Sequence, residues 1–309
     1  MMRHCAFPNL QLAGIPHVVR CLAAGIAMLP TVEVAMAQPT PVRQSTGTTT
    51  ASPTWVLLSG MIGGASGMRR LEQRLQWKGY CVVVIDPYAQ SADSADVSFA
   101  ALARRVNRTL STLNIRNAHV VGHAHGGGVA LRLAAMYPER VSALDLVDVG
   151  ALPSSRTALM GQSLSLIPVI ASVPGGRALI RSRMLSGIRE NSGSVVWLNA
   201  ASERSYVEPI LVNVGRSTAM MQRLSTAQEP DLVATLIARL QMPVTVVLGA
   251  APHATSPTAS HLNALKGVRG CLRFLRVNGA GHFVQEEAPD HLASILDSQC
   301  VTRVAGIEQ

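Results

Sequence analysis

The stretch that most constrains this chain is Val120-Val121-Gly122-His123-Ala124-His125-Gly126-Gly127-Gly128-Val129-Ala130-Leu131. A short β-branched run passes through a glycine-flanked turn into an apolar helical pattern that continues through Leu133 and Ala134 to Tyr137-Pro138. Strand, sharp turn and helix in that order are the layout of a nucleophile elbow, Gly-x-Ser-x-Gly, in which the central side chain is pushed out of a strained bend. Residues two before and two after the apex must be small, because a side chain there collides across the bend. Gly122 and Gly126 meet that demand, but the apex is Ala124, whose methyl cannot attack a carbonyl. The backbone signal and the chemical signal disagree.

Around this stretch the sequence predicts a series of unbroken apolar strands: Trp55-Val56-Leu57-Leu58, Cys81 to Ile85, the elbow strand, Val141 to Val149, Val244 to Leu248 and Leu272 to Val277. Helical patterns separate them, including one over 97–113 with apolar spacing at Leu102, Val106, Leu110 and Leu113. Strands without alternation, divided by helices, imply an α/β fold with a mostly parallel sheet buried on both faces. Right-handed crossovers then bring the strand-end loops bearing Gly60, Asp86, Ala124, Asp148 and Gly249 to one rim, where such sheets bind ligands. A helical insert, 151–241, is expected to lie over that rim as a lid. Its apolar residues Leu159, Leu164, Leu166, Ile167, Val169, Ile170, Trp197, Met220 and Met221 either line a cavity or form the lid's own core.

The composition, 48% hydrophobic and 15% charged over 309 residues, suits one such domain with a large core. The formal charge of +9 is carried almost wholly by arginine, with only Lys78 and Lys266 as lysines. Those arginines are scattered and aromatics are few, so a nucleic-acid partner is not expected. Residues 1–37 read as an export signal: Arg3 and Arg20 precede the apolar run Cys21 to Leu29, and Ala35 and Ala37 form an A-x-A site before Gln38. Pro30 and Glu33 keep that run short of a membrane span, so the expected location is periplasmic or secreted, or cytoplasmic if the N-terminus is not a signal. Residues 38–53, rich in Thr, Ser and Pro, read as a disordered tether, 54–299 as the domain and 300–309 as a tail. In an oxidising compartment Cys271 and Cys300 could pair, whereas Cys81, inside an apolar strand, is expected to be a buried, inert thiol. With no C-x-x-C pair, a thiolate zinc site or redox motif is not expected, and the reading includes no cofactor.

Several motifs in the right order make residues 54–299 resemble the α/β-hydrolase superfamily, in its single-domain branch of esterases, haloperoxidase-like and ring-cleavage-product hydrolases. Ser59-Gly60-Met61 stands where that family has His-Gly-x, whose third residue gives a backbone N–H to an oxyanion hole. Asp86-Pro87 matches a strand end, and Gly122 to Gly127 matches Gly-His-Ser-x-Gly-Gly. Gly279-Ala280-Gly281-His282-Phe283, followed by Glu286, Glu287 and Pro289, looks like the family's catalytic-histidine loop. The resemblance also implies an acid after the strand that follows the lid, as Gly-x-x-Asp. Here that place reads Gly249-Ala250-Ala251-Pro252-His253, and no Asp or Glu occurs between Leu232 and Gln285.

What remains of a triad is His282, with Asp148 as the one well-placed carboxylate. Asp148 either orients His282 or is a loop-start carboxylate bonded to backbone amides. Asp145 reads as structural, inside the strand, and His123 as a structural histidine under the elbow. His125 follows the apex, so its N–H would join that of Met61 in holding an oxyanion, with its ring facing the cavity. His253 approaches the rim where the acid should be. Convergence of His125, His253 and His282 on a metal is disfavoured, since they lack paired spacing. Glu286 and Glu287 are expected to cap the helix beginning near Ala288. The first expectation is therefore a non-catalytic or weakly active pseudo-hydrolase that binds an apolar small molecule or ester. The alternatives are a serine-independent ester hydrolase using water activated by His282, and a partner-binding module.

Overall fold

The computed structural model describes residues 42–44, 53–89, 96–149 and 164–298. The expected signal, the tail, Leu159 and Cys300 lie outside them. Among the described residues seven strands form one sheet in the order β1-β3-β2-β4-β5-β6-β7: β1 (Val42–Gln44), β2 (Thr54–Leu58), β3 (Val82–Ile85), β4 (Ala118–His123), β5 (Val141–Val147), β6 (Val244–Gly249) and β7 (Leu272–Val277). The last six are parallel, as the unbroken apolar runs predict. β1 falls within the expected tether and corrects that expectation for three residues: it pairs antiparallel with β3, Arg43 opposite Val84.

Period-two geometry sends successive side chains to opposite faces, and both faces are covered. Val56, Leu58, Val83 and Val120 enter one core with α2 (Phe99–Thr112) and α3 (His125–Met136). Trp55, Leu57, Val82, Val84 and Val121 enter the other with α1 (Arg69–Trp77) and the last described helix. α2 begins where expected because the Ser98 hydroxyl accepts the Ala101 N–H, a side-chain cap. Asp145 is structural as expected: it bonds buried His119, whose ring stacks on Trp55 at 3.8 Å. β2 lies between β3 and β4, so the chain leaves β2 in one direction and then crosses to the other side of it. The turn after β4 therefore stands at the sheet's switch point, the usual place for a site.

The insert between β5 and β6 contributes α4 (Ile167–Ser172), α5 (Gly176–Glu190), α6 (Ala200–Val212), α7 (Val214–Thr226) and α8 (Val233–Ile237). Trp197 and Tyr206 form its own small core with Leu185, Ile188, Val207 and Leu211, and Phe283 of the loop after β7 joins them. Met220 belongs to the main core. Among the described residues Leu166 and Val169 stay outside that core, at 62% and 63% exposed. α9 (Ala259–Leu265), α10 (Val284–Glu287) and α11 (Pro289–Asp297) complete the fold. No helix among the described residues is long and apolar enough to cross a membrane. Cys81 is not the free thiol expected, since it and Cys271 are both disulfide-bonded. They immediately precede β3 and β7, five strand spacings or roughly 24 Å apart, so they are not bonded to each other.

Candidate active site

Two apices project from neighbouring strand ends, and both have positive φ without being glycine. Ala124 sits at φ 50°, ψ −124°, and Asp148 at φ 50°. Such conformations cost about 1–3 kcal/mol each and persist only where surrounding structure imposes them. Here the sheet imposes them: the Ala124 N–H donates to the Val147 carbonyl at 3.1 Å and the Asp148 N–H to that of Val247 at 2.8 Å. Ala124 thus keeps the elbow's backbone. A Cβ on Gly122 would stand 2.5 Å from Gly127 Cα, and one on Gly126 2.3 Å from the Ser59 carbonyl oxygen, so neither position tolerates a side chain. The Gly60-Met61 turn lies against the elbow: a Cβ on Gly60 would be 3.5 Å from that of Ala124.

Asp148 reaches two imidazoles with one oxygen. Its Oδ2 is 2.6 Å from His282 Nδ1 and 2.9 Å from His253 Nε2, while Oδ1 accepts the Gly249 N–H at 3.4 Å. Both readings of Asp148 are therefore realised, orienting carboxylate and backbone-bonded carboxylate. Burial alone would raise its pKa, but the hydrogen bonds from His253 and His282 prevail and bring it down to about 2. With Nδ1 directed at Asp148, Nε2 of His282 is left to act on a ligand.

The loop after β7 is fixed from several sides. His123, buried below the elbow, donates from Nε2 to the His282 carbonyl at 2.9 Å, and its Nδ1 accepts from Gln285 at 3.3 Å. Burial and the charge of nearby His282 lower its pKa to about 3, so it is a neutral structural ring, as expected. The His282 N–H donates to the Asn191 carbonyl at 2.7 Å, just past α5, and the Asn191 side chain accepts from Thr255. Glu287 corrects the capping expectation. One of its oxygens accepts the N–H groups of Gly193 and Ser194 and the other those of Gly281 and Phe283, which straps the insert to the His282 loop. Glu286 is not a cap either: it is buried, accepts the Tyr206 hydroxyl at 3.1 Å, and is pushed up to about 7 by burial despite Tyr206 and Arg70. Asn191 and the strap carry no sequence signal beyond their residue types.

His125 occupies the first helical position after the apex, so its backbone N–H has no partner within the helix. Its ring packs edge-on against Phe99 at 5.8 Å, and burial and the charge of His282 lower its pKa to about 4. His125 does not join His253 and His282 at Asp148. Asp148, His253 and His282 do bring three ligand-type atoms within 4.8 Å of one another. The two separations to Oδ2 are nonetheless those of N–H···O bonds, whereas tetrahedral ligands at ~2.0–2.1 Å from zinc stand about 3.3 Å apart.

The model of the alpha/beta hydrolase family matches residues 50–294. Over 257 residues the chain is 24% identical to the sn-1-specific diacylglycerol lipase ABHD11 of Mus musculus, a match covering 80% of each protein. Among solved structures it is similar to a thermophilic esterase from Thermogutta terrifontis, with a TM-score of 0.64 at 18% identity over 83% of this chain and 90% of that one. It is also similar to Cfl2 from Burkholderia cenocepacia, with a TM-score of 0.61 at 22% identity over 83% and 90%. Likeness at these identities concerns the fold.

Proposed function

The chain belongs to the alpha/beta hydrolase family, and from that premise we propose that it hydrolyses an acyl ester by direct attack of water, without a covalent intermediate. The observation that carries this reading is the 2.6 Å bond between Asp148 and His282 Nδ1, because an oriented histidine is what water activation needs. Water occupies the space a serine hydroxyl would fill at residue 124. His282 Nε2 takes one proton from it as the oxygen bonds to the carbonyl carbon. The carbonyl electron pair becomes an oxyanion, which the N–H groups of Met61 and His125 hold. Collapse breaks the ester C–O bond, the leaving alkoxide receives the proton from His282, and a carboxylic acid and an alcohol depart.

An ester with an apolar acyl part is the substrate class, in line with the name of the mouse relative, a diacylglycerol lipase. Serine proteases stripped of triad residues keep on the order of 10³–10⁴-fold acceleration over water, which sets the scale of a serine-free enzyme. Export is supported by the signal-like residues 1–37. The binding-protein reading keeps one observation, the methyl at position 124. Initial rates on nitrophenyl esters of short to medium chain length, with His282→Ala in parallel, separate the two. Turnover that disappears in the variant supports the hydrolase, and background rates in both proteins support a binder.

A further inference from the structure

His253 has an acceptor on each side of its ring. Nδ1 lies 2.8 Å from the Ala251 carbonyl oxygen and Nε2 lies 2.9 Å from Asp148 Oδ2. A carbonyl has no proton to give, and neither has an ionised carboxylate. Both nitrogens of His253 must therefore donate, and a histidine donating from both is an imidazolium. His282 differs, since it directs only Nδ1 at Asp148. Side-chain burial is complete for His253 and Asp148, so this charge and its counter-charge face each other out of water, where Coulomb attraction is strongest.

We propose that His253 is a positioning residue that acts as a standing cation: it holds Asp148 in place for His282 while offsetting the negative charge that would otherwise favour protonation of His282. The inference rests on the reading of His282 and Asp148 as base and orienting carboxylate. In an ordinary histidine–aspartate pair, protonating the histidine creates an ion pair. Here the carboxylate is already paired, and protonating His282 adds a second cation beside the first, the two ring centroids being 6.0 Å apart. Like charges at that range disfavour one another. The charged and titratable groups facing His253 are Asp148 at the end of β5, His282 after β7 and Glu287 on α10. Burial pulls the pKa of His253 down, but the hydrogen bond and charge of Asp148, the Ala251 carbonyl and Glu287 prevail and leave it raised. The charges at the rim have in effect changed places: the acid comes from β5, and a cation stands on the loop after β6 where the family resemblance puts an acid.

Ring-nitrogen NMR of the full chain labelled with ¹⁵N-histidine tests the charge without any need for turnover. Two protonated nitrogens on His253 at neutral pH are expected. A neutral tautomer there overturns the proposal, and so does a stoichiometric divalent metal that a chelator removes with a change in the His253 signals. The consequence is read from His253→Gln, whose amide keeps a donor toward Asp148 but not the charge. The acid limb of its pH–rate profile for ester hydrolysis should move up by about one pH unit, and His253→Lys should move it back. A limb that stays in place in the Gln variant overturns the proposal. Where the ester assay gives no turnover, the same displacement is read from the ring titration of His282, so failure of the hydrolase reading and failure of this one remain distinct.

Discussion

At the turn after β4 the backbone of a nucleophile elbow survives around a methyl group, whereas at the loop after β6 an acid position survives around an imidazole. The two losses have different outcomes. A nucleophile must stand at one point, on the line of attack, and no neighbouring residue can supply it from elsewhere. An orienting carboxylate only has to reach Nδ1 of the histidine, and two adjacent strand ends can both do so. Asp148 reaches it from β5 at 2.6 Å, so the acid's role survives the loss of its usual place. The elbow is held by backbone packed against backbone, the rim by side chains.

Changes in the elbow should therefore be the most damaging to folding. Gly126→Ala places a methyl 2.3 Å from the Ser59 carbonyl oxygen and 2.5 Å from that of Leu58; we expect a loss of about 3 kcal/mol or more in urea unfolding, and a loss under 1 kcal/mol would break the distinction. The rim should instead respond to pH. Glu286 titrates at about 7 in the folded protein, against an ordinary glutamate value of 4.5. The protonated form is favoured on folding, so its contribution is fully present below pH 4.5 and is lost as the pH rises to about 7. That amounts to about 3 kcal/mol, and Glu286→Gln should flatten the stability profile between those limits. Glu287→Ala, which frees four backbone N–H groups of the strap, should cost about 2 kcal/mol. The smallest effect on stability, within about 0.5 kcal/mol, is expected for Ala124→Ser. That variant meets a histidine already oriented by Asp148, so intact-mass analysis should find it labelled by a fluorophosphonate while wild type stays unlabelled. An unlabelled serine would mean that the turn no longer presents its side chain to His282.

The sheet and the elbow were legible because their signals are local. Unbroken runs such as Val82-Val83-Val84-Ile85 report burial on two faces, and glycines flanking an apex report a bend. Asp148 was legible in position but ambiguous in role, since one oxygen faces the Gly249 N–H and the other the two rings. His253 lies 105 residues from Asp148, and no spacing rule links them. Glu286 and Glu287 misled because acidic residues ahead of a helix suit its dipole, while the N–H groups Glu287 binds come from the insert and from its own loop. The strand at 42–44 was hidden by its Thr- and Pro-rich surroundings, because pairing with β3 supplies what its own composition lacks.

The most direct test of the account is the steady-state rate of nitrophenyl-ester hydrolysis by Asp148→Asn beside wild type. Replacing the orienting carboxylate by an amide should favour the wrong tautomer of His282 and lower kcat by about 10²-fold with little change in KM. An unchanged kcat would contradict it and separate Asp148 from whatever chemistry the site performs.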